Sequence, residues 1–528
     1  SGRTSGAART SAASRASGGR PAARFMGEER FRTARALCLA LLVGGTAGGC
    51  GRQRGEAVDR PIEMLVANDA ETLDPRYVVD SVGMRATRLV HAGLVQLDPD
   101  TLAPRPYVAR GWRWLDPLTL EVDLRDDVRF HSGAPLRPAD VVATLHAFAS
   151  TAVASRHASV IAAIAGAEET GPHRVVVRLS RPHGTLLTDL ELPILRADQA
   201  ASPPAPDGTL DGLGPYTVAR LARGDLLLVP ADAGALPRPA HAVELRTVHD
   251  ENARALRLEA GRADVVVNLV SPTLLPALAA QPGLEVASRR GSNLTYVVVA
   301  EQHPPLDDAR VRRAFSLAID RATICATLFD GRAEPASGLI APAHWAHTDT
   351  PLLPFDPAAA RALLAATGIA LPRLTVLTST ERLRGDVARF IAQELGDIGV
   401  AVDVVPLELG TMIARLNGGD FDLAVLQLPE MTEPNVLRRF LGGAFVPPEG
   451  ANRGHVKDAE LDALLDEGDR EGDPEVRRAL YARVEKRERE AMHWVPLWYE
   501  DQVVVRSGRV RGFLPSAEGR WLGLAGVR

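Results

Sequence analysis

Between Thr119 and Arg125 the chain alternates Leu120, Val122 and Leu124 with Glu121, Asp123 and Arg125. A period of two gives a strand one dry face. Residues 174–178 repeat the pattern with Val175 and Val177. Between these strands Arg137-Pro138-Ala139-Asp140 opens a helix whose apolar face is Val141, Val142, Leu145 and Phe148. The first half of the chain therefore reads as strand-rich. Further on, Asp307 and Asp308 start a helix with Val311, Phe315, Ile319 and Ala322 on one face and Arg310, Arg312 and Arg313 on the other.

The pattern is clearest after Leu374. A short apolar strand, 374–377, precedes a helix with Val387, Ile391, Leu395 and Ile398 in register, and Gly399 ends it. A second strand (400–405), a helix through Met412, Ile413 and Leu416, the Gly418-Gly419 stop and a third strand (421–428) complete a βαβαβ unit. Such a unit implies right-handed crossovers and a mostly parallel sheet, with ligands met at strand carboxyl ends. That rule alone singles out residues 426–433. Asp473-Pro474 then caps a helix running to about Met492, with Val476, Leu480 and Val484 inward and its Arg and Glu residues on a solvated face. Residues 495–499 and 503–505 return as strands, and the Pro-rich stretch 199–214 marks a linker between domains.

The N-terminal fifty residues are of another kind. Residues 1–25 lack apolar periodicity and read as a disordered extension. From Met26, the basic residues Arg30, Arg32 and Arg35 precede the apolar run 36–43 and the small residues 44–49, which end at Cys50. These are the parts of an export signal, too short to span a bilayer. Small residues running into a cysteine resemble the lipobox of bacterial lipoproteins, although Ala47 stands where Leu is preferred. On that reading residues 26–49 are removed, Cys50 is acylated, and 50–60 form a tether to a membrane.

Composition narrows the function. The chain of 528 residues is 46% hydrophobic and 24% charged, an ordinary globular balance. Its net charge is −5, but residues 1–49 hold eight Arg and two Glu, which leaves the remainder at −11. So acidic a body argues against a nucleic-acid partner and slightly favours amine-bearing solutes. Three cysteines (Cys38, Cys50, Cys325) cannot build a disulfide framework or a four-thiolate metal site, and Cys325 reads as a small buried apolar residue.

Catalytic signatures are missing. The sequence has no Gly-x-Ser-x-Gly elbow, His-Glu-x-x-His helix, phosphate loop or Cys-x-x-Cys, and its only lysines are Lys457 and Lys486. One loop, His344-Trp345-Ala346-His347 with Asp349, offers ligands for a divalent metal at arbitrary spacing. Glu168-Glu169 and Glu488 with Glu490 read as solvent-facing carboxylates.

Several blocks, in order, resemble the extracytoplasmic solute-binding proteins of ABC importers, in their dipeptide, oligopeptide and nickel-binding family. They begin with Glu71-Thr72-Leu73-Asp74-Pro75, His91-Ala92-Gly93-Leu94-Val95 and Val108-Ala109-Arg110-Gly111-Trp112. The stretch from Val122-Asp123-Leu124-Arg125 through Val128-Arg129-Phe130-His131-Ser132-Gly133 to Ala139-Asp140-Val141 is the most specific. Gly212-Leu213-Gly214-Pro215-Tyr216, the segment 257–264, Pro305-Leu306-Asp307-Asp308 and Trp494-Val495-Pro496-Leu497 continue it.

The resemblance implies an α/β fold of the type II periplasmic-binding-protein kind. Its lobe I is discontinuous (61–93, 207–290 and 491–528), lobe II a β-rich insertion (94–206) and lobe III α/β (291–490). It implies a monomeric, cofactor-free, metal-free and non-enzymatic receptor, tethered by lipid at the cell envelope. The receptor closes lobes I and III on a peptide or related small solute and delivers it to an ABC permease. Two departures bear on the solute. Ala300 leads into Glu301 where members often carry Asn, and the segment often written Trp-x-Ala-Asp is Gln427-Leu428-Pro429-Glu430. In peptide-binding members an acidic residue there pairs with the α-amino group, a role open to Glu430 or Glu433. The lining residues expected on this basis are Tyr77, Asp80, Asn293, Tyr296, Gln427, Glu430, Asn452 and Arg453. The alternatives are a non-transporting sensor or assembly protein with the same pocket, and a metal-dependent extracytoplasmic hydrolase using His344, His347 and Asp349.

Overall fold

Two long antiparallel strands, Leu284–Val299 and Trp494–Ser507, form the spine of an 11-stranded sheet. They pair in two blocks: residues 284–289 face 502–507, residues 293–298 face 494–500, and the register shifts between Arg289 and Asn293. On one side of that irregularity the sheet continues through Val265–Val267, Ile62–Val66, Val243–Thr247, Asp225–Pro230 and Tyr216–Ala222, making lobe I. On the other it continues through Leu423–Leu428, Leu374–Ser379 and Val402–Leu407, making lobe III. This computed structural model describes residues 60–528 except Pro429, all within the unit Val58–Arg528. The extension 1–25, the signal 26–49, Cys50 and the tether up to residue 59 lie outside the described residues.

The βαβαβ unit forms as its periodicity requires. Leu374–Ser379 pairs in parallel with both Val402–Leu407 and Leu423–Leu428, and the latter joins the spine antiparallel, Leu294 opposite Leu428. Alternation along the spine feeds two apolar layers at once. Val297 and Val299 pack on one face with Val387 and Ile391, while Tyr296 and Val298 pack on the other with Met412 and Leu416.

Lobe II is a four-stranded antiparallel sheet in the order Ala109–Asp116, Thr119–Leu124, Arg174–Leu179, Ile164–Gly171. Leu120, Val122, Leu124, Val175 and Val177 all point into its core, against Val141, Leu145 and Phe148 of the helix Pro138–Ala149.

Four expectations need correction. Residues 309–322 are not one helix. Ala309–Ala318 ends at Ile319, and Asp320 caps a second helix, Arg321–Leu328, by accepting the Thr323 N–H at 3.0 Å. Residues 494–507 are one strand rather than two. The stretch 199–214 is not a loose linker, since the buried Arg76 guanidinium donates to the Ala200 and Ser202 carbonyls at 3.0 and 2.6 Å. On the helix Pro474–Ala491, Val476 is 46% exposed while Arg477, Glu485 and Glu488 are buried. Glu485 accepts the Leu339 and Ile340 N–H groups, both at 2.9 Å, and Glu488 accepts that of Trp494 at 2.6 Å. The charged face is thus a docking face for neighbouring loops.

Candidate functional site

The chain crosses between lobes I and III at the irregularity in the spine. A Cβ on Gly291 would stand 2.1 Å from the Glu500 carbonyl oxygen, so only glycine lets the two strands approach there. Next to it the Glu500 carboxylate accepts from Thr295 Oγ1 at 2.9 Å and from Arg384 at 2.8 Å. Arg384 lies in the first turn of the helix that follows Leu374–Ser379. The crossing is therefore tied to the carboxyl end of the lobe III sheet.

Two elements face each other across the cleft. From lobe I comes the helix Ser81–Val90, capped by Asp80, which accepts the Gly83 N–H at 2.6 Å. Arg85 and Arg88, three residues apart, share one face of it. From lobe III comes the segment after Leu428, where Glu430 adopts φ +50°, a left-handed conformation uncommon for a side-chain-bearing residue. The Glu430 N–H donates to Asn293 Oδ1 at 2.8 Å, and its carboxylate forms an ion pair with Arg85. Arg85 also lies over the Trp521 ring, 5.8 Å from its centroid. Glu433 is buried, held by Arg477 at 2.6 Å and by Thr188 of lobe II at 2.5 Å.

Of the eight residues expected to line the site, Asn293 and Glu430 meet directly. Gln427 stands opposite Thr295 on the neighbouring strand. Tyr77 donates to the Val153 carbonyl at 3.0 Å, and Asp80 serves as the helix cap. Tyr296 is stacked on Trp494 at 3.7 Å inside lobe III. Asn452 is fully buried and spends its carboxamide on Gly442 and Val456, while Arg453 donates to Asn417. These last three are engaged within lobe III and do not meet the Asn293–Glu430 pair.

Two cavities lie along the cleft. One, about 220 Å³, runs from Thr185 and Asp189 of lobe II to residues 430–436. The other, about 210 Å³, is bounded by Pro75, Met84, Arg88, His157, Thr432 and Arg520. Arg520 pairs with Glu191 at 2.5 Å and Glu518 at 2.9 Å. Arg88 reaches only the Met84 carbonyl, at 3.3 Å; burial, helped by the neighbouring Arg520 charge, pushes its guanidinium down to about 10. The Arg85–Arg88 spacing was readable in sequence, whereas the contact of Glu191 with Arg520 joins residues far apart in the chain.

The His344 loop is differently engaged. Burial pushes the His344 imidazole down to about 4, and its nitrogens meet the Thr432 carbonyl and the Ala346 N–H. His347 bonds the Ile340 carbonyl at 2.7 Å. Among the described residues no three His, Cys, Asp or Glu side chains are grouped to hold a metal ion. Cys325 is buried, which pushes its thiol up to about 12.

Comparison with known proteins adds to this geometry. The sequence model described as bacterial extracellular solute-binding proteins, family 5 Middle, matches residues 103–440. The chain belongs to this family. Among family 5 relatives, it is 28% identical over 470 residues to "Probable di/tripeptide-binding protein 5" of Pseudomonas aeruginosa, covering 81% of this chain and 88% of that one. It is 26% identical over 474 residues to a glutathione-binding protein of Salmonella typhimurium, covering 86% and 92%. The solved structure of NikA from Brucella suis in complex with Fe(III)-EDTA shares the fold, with a TM-score of 0.78 at 21% identity, covering 88% and 99%. Family 5 proteins are extracytoplasmic solute-binding proteins, and this chain is a solute-binding receptor that captures a solute for delivery to an ABC-type permease.

Proposed function

We propose that this family 5 receptor binds a short peptide or peptide-like solute between lobes I and III, with the solute's ammonium group at Glu430. The observation that carries this reading is the Glu430 carboxylate. It stands at the carboxyl end of a lobe III strand, on a residue whose backbone N–H is held by Asn293, and is aimed at lobe I, where it pairs with Arg85. A bound ammonium would share that carboxylate with Arg85 and so join the two lobes through the solute. The di/tripeptide- and glutathione-binding relatives agree with a solute of this size. We further propose that the protein works as a monomer tethered through acylated Cys50 and releases its solute unchanged to the permease.

Calorimetric titration of residues 50–528 with di- and tripeptides tests the reading. Free peptides are expected to bind at least about tenfold more tightly than their N-acetylated forms, and Glu430→Gln is expected to erase that preference, as befits a charge-assisted hydrogen bond. Equal binding of both forms would contradict it. Labelled palmitate incorporated into the full chain but not into Cys50→Ser is the outcome expected for the tether.

A further inference from the structure

The loop that follows the lobe II strand Arg174–Leu179 reaches across to lobe III. Its residues 181–189 meet the end of the helix Ala459–Arg470 and the loop leading into the helix Pro474–Ala491. The Gly184 N–H donates to the Asp469 carbonyl at 2.8 Å. That carbonyl lies in the last turn of its helix, where no intrahelical donor remains for it. Thr188 donates to Glu433 at 2.5 Å, and Arg181 stands 3.6 Å from the Asp469 carboxylate. A Cβ on Gly184 would lie 2.2 Å from the Glu471 carbonyl oxygen, 2.9 Å from that of Gly468 and 3.1 Å from Nε of Arg477. These three nearest atoms all belong to lobe III.

The two sides of this contact have separate cores. Leu186 and Leu190 pack with the lobe II strands, while Leu461, Leu464, Tyr481 and Val484 pack within lobe III. Among the described residues no buried apolar cluster holds residues of both lobes, so polar groups carry the contact. Lobes I and II, by contrast, share a core: Leu213 and Ala235 are buried in the lobe II cluster, with Tyr77 and Leu522 packed against it. Lobe II therefore moves with lobe I, and its polar contact with lobe III is of the kind that parts and rejoins.

The loop is also built in advance. The Thr185 hydroxyl donates to Asp189 at 2.9 Å, and His183 Nε2 lies 2.6 Å from the same carboxylate. Little order remains to be imposed when the loop docks. Thr185, Thr188 and Asp189 line the cavity of about 220 Å³ that ends at residues 430–436, so docking seals that end of the cleft. Gly184 itself lines neither cleft cavity.

We propose that residues 181–189 are a clasp that docks on lobe III only when lobes I and III have closed, and that Gly184 thereby sets the affinity for every solute alike without touching any. The proposal rests on closure of lobes I and III, and not on Glu430 as the ammonium partner. Contacts made only in the closed form favour that form whichever solute fills the cleft, so their loss weakens all solutes by one factor.

Titration of residues 50–528 with the free tripeptides of alanine, leucine, glutamate and lysine, each beside its N-acetylated form, tests this. Gly184→Ala is expected to weaken every binding peptide at least about tenfold and by a common factor, as overpacking against backbone does. The loss should appear in the dissociation rate, with association unchanged. The ratio of free to acetylated affinity, which reports on Glu430, should stay that of the parent. The solute-free variant should keep the parent's melting temperature, because the added methyl group meets only lobe III. Gly166→Ala, a lobe II change whose Cβ meets nothing within 4 Å, should bind as the parent does. A permanent contact between lobes II and III would instead lower the melting temperature of solute-free Gly184→Ala. That result, or parental affinity in the well-folded variant, would overturn the proposal. Equal binding of free and acetylated peptides to the parent would overturn the role of Glu430 alone, and binding of none of these peptides would overturn both.

Discussion

Gly291 and the Glu500 carbonyl oxygen are in such close register that a Cβ at residue 291 would lie 2.1 Å from that oxygen. The contact sits where two strands pass in opposite directions between lobes I and III, and the pairing register slips within three residues of it. No side chain can be placed there without moving one strand. Gly291→Ala is therefore expected to cost about 1–3 kcal/mol, as overpacking does. The control is Gly111→Ala, where a Cβ meets nothing within 4 Å and the change should stay within about 0.5 kcal/mol. Urea denaturation of both variants checks the difference.

The Arg85–Glu430 pair joins the lobes but remains about a quarter to a third exposed, so its own contribution is small, about 0.2–1 kcal/mol. Breaking it with Arg85→Gln should shift a solute-free population of joined lobes by no more than about fivefold, the equivalent of 1 kcal/mol. The shift should shrink as salt is raised. Single-molecule distance measurements between labels on lobes I and III, at low and high salt, read both effects.

Glu433 and Arg477 are a different case, because both side chains are buried and Glu433 also receives the Thr188 hydroxyl from lobe II. Removing one partner leaves a buried charge uncompensated. Glu433→Ala should destabilise the fold by about 3–5 kcal/mol, while replacing the pair together (Glu433→Leu, Arg477→Met) should cost much less than the single change. Denaturation of the single and double variants separates the two outcomes.

His493 lies between Glu301 at 2.7 Å and Asp458 at 3.2 Å. Burial alone would lower its pKa, but Glu301, Glu488 and Asp458 more than offset that and raise it from 6.5 to about 9. A folded value above the unfolded one means that the charged ring stabilises the fold. That stabilisation is fully present below about pH 6.5 and is lost as pH rises through about 9. Stability measured from pH 6 to 10 should fall across this window, and His493→Gln should remove the part of the slope due to this residue.

Much of this architecture was readable in the pattern of side chains. Leu120, Val122 and Leu124 announced their strand by period, and Asp308 and Asp473 announced their helices by cap, because both signals are local. The two spine strands were less legible: each changes lobe midway, so half of its apolar pattern belongs to one core and half to another. The helix 474–491 misled because alternating Arg and Glu look alike whether they meet water or, as Arg477, Glu485 and Glu488 do, a partner from a distant loop. For the site, Glu430 and Asn293 were accessible through family resemblance. Gly184 and Asp469 meet only when lobe II comes against lobe III, and no local spacing records that.

Capture of a solute requires lobes I and III to close about the two crossing strands. Small-angle X-ray scattering of residues 50–528, with and without a saturating peptide already known from calorimetry to bind, tests it most directly. The radius of gyration is expected to fall on addition of the peptide and to recover when the peptide is dialysed away. An identical radius of gyration in the free and saturated states would contradict it.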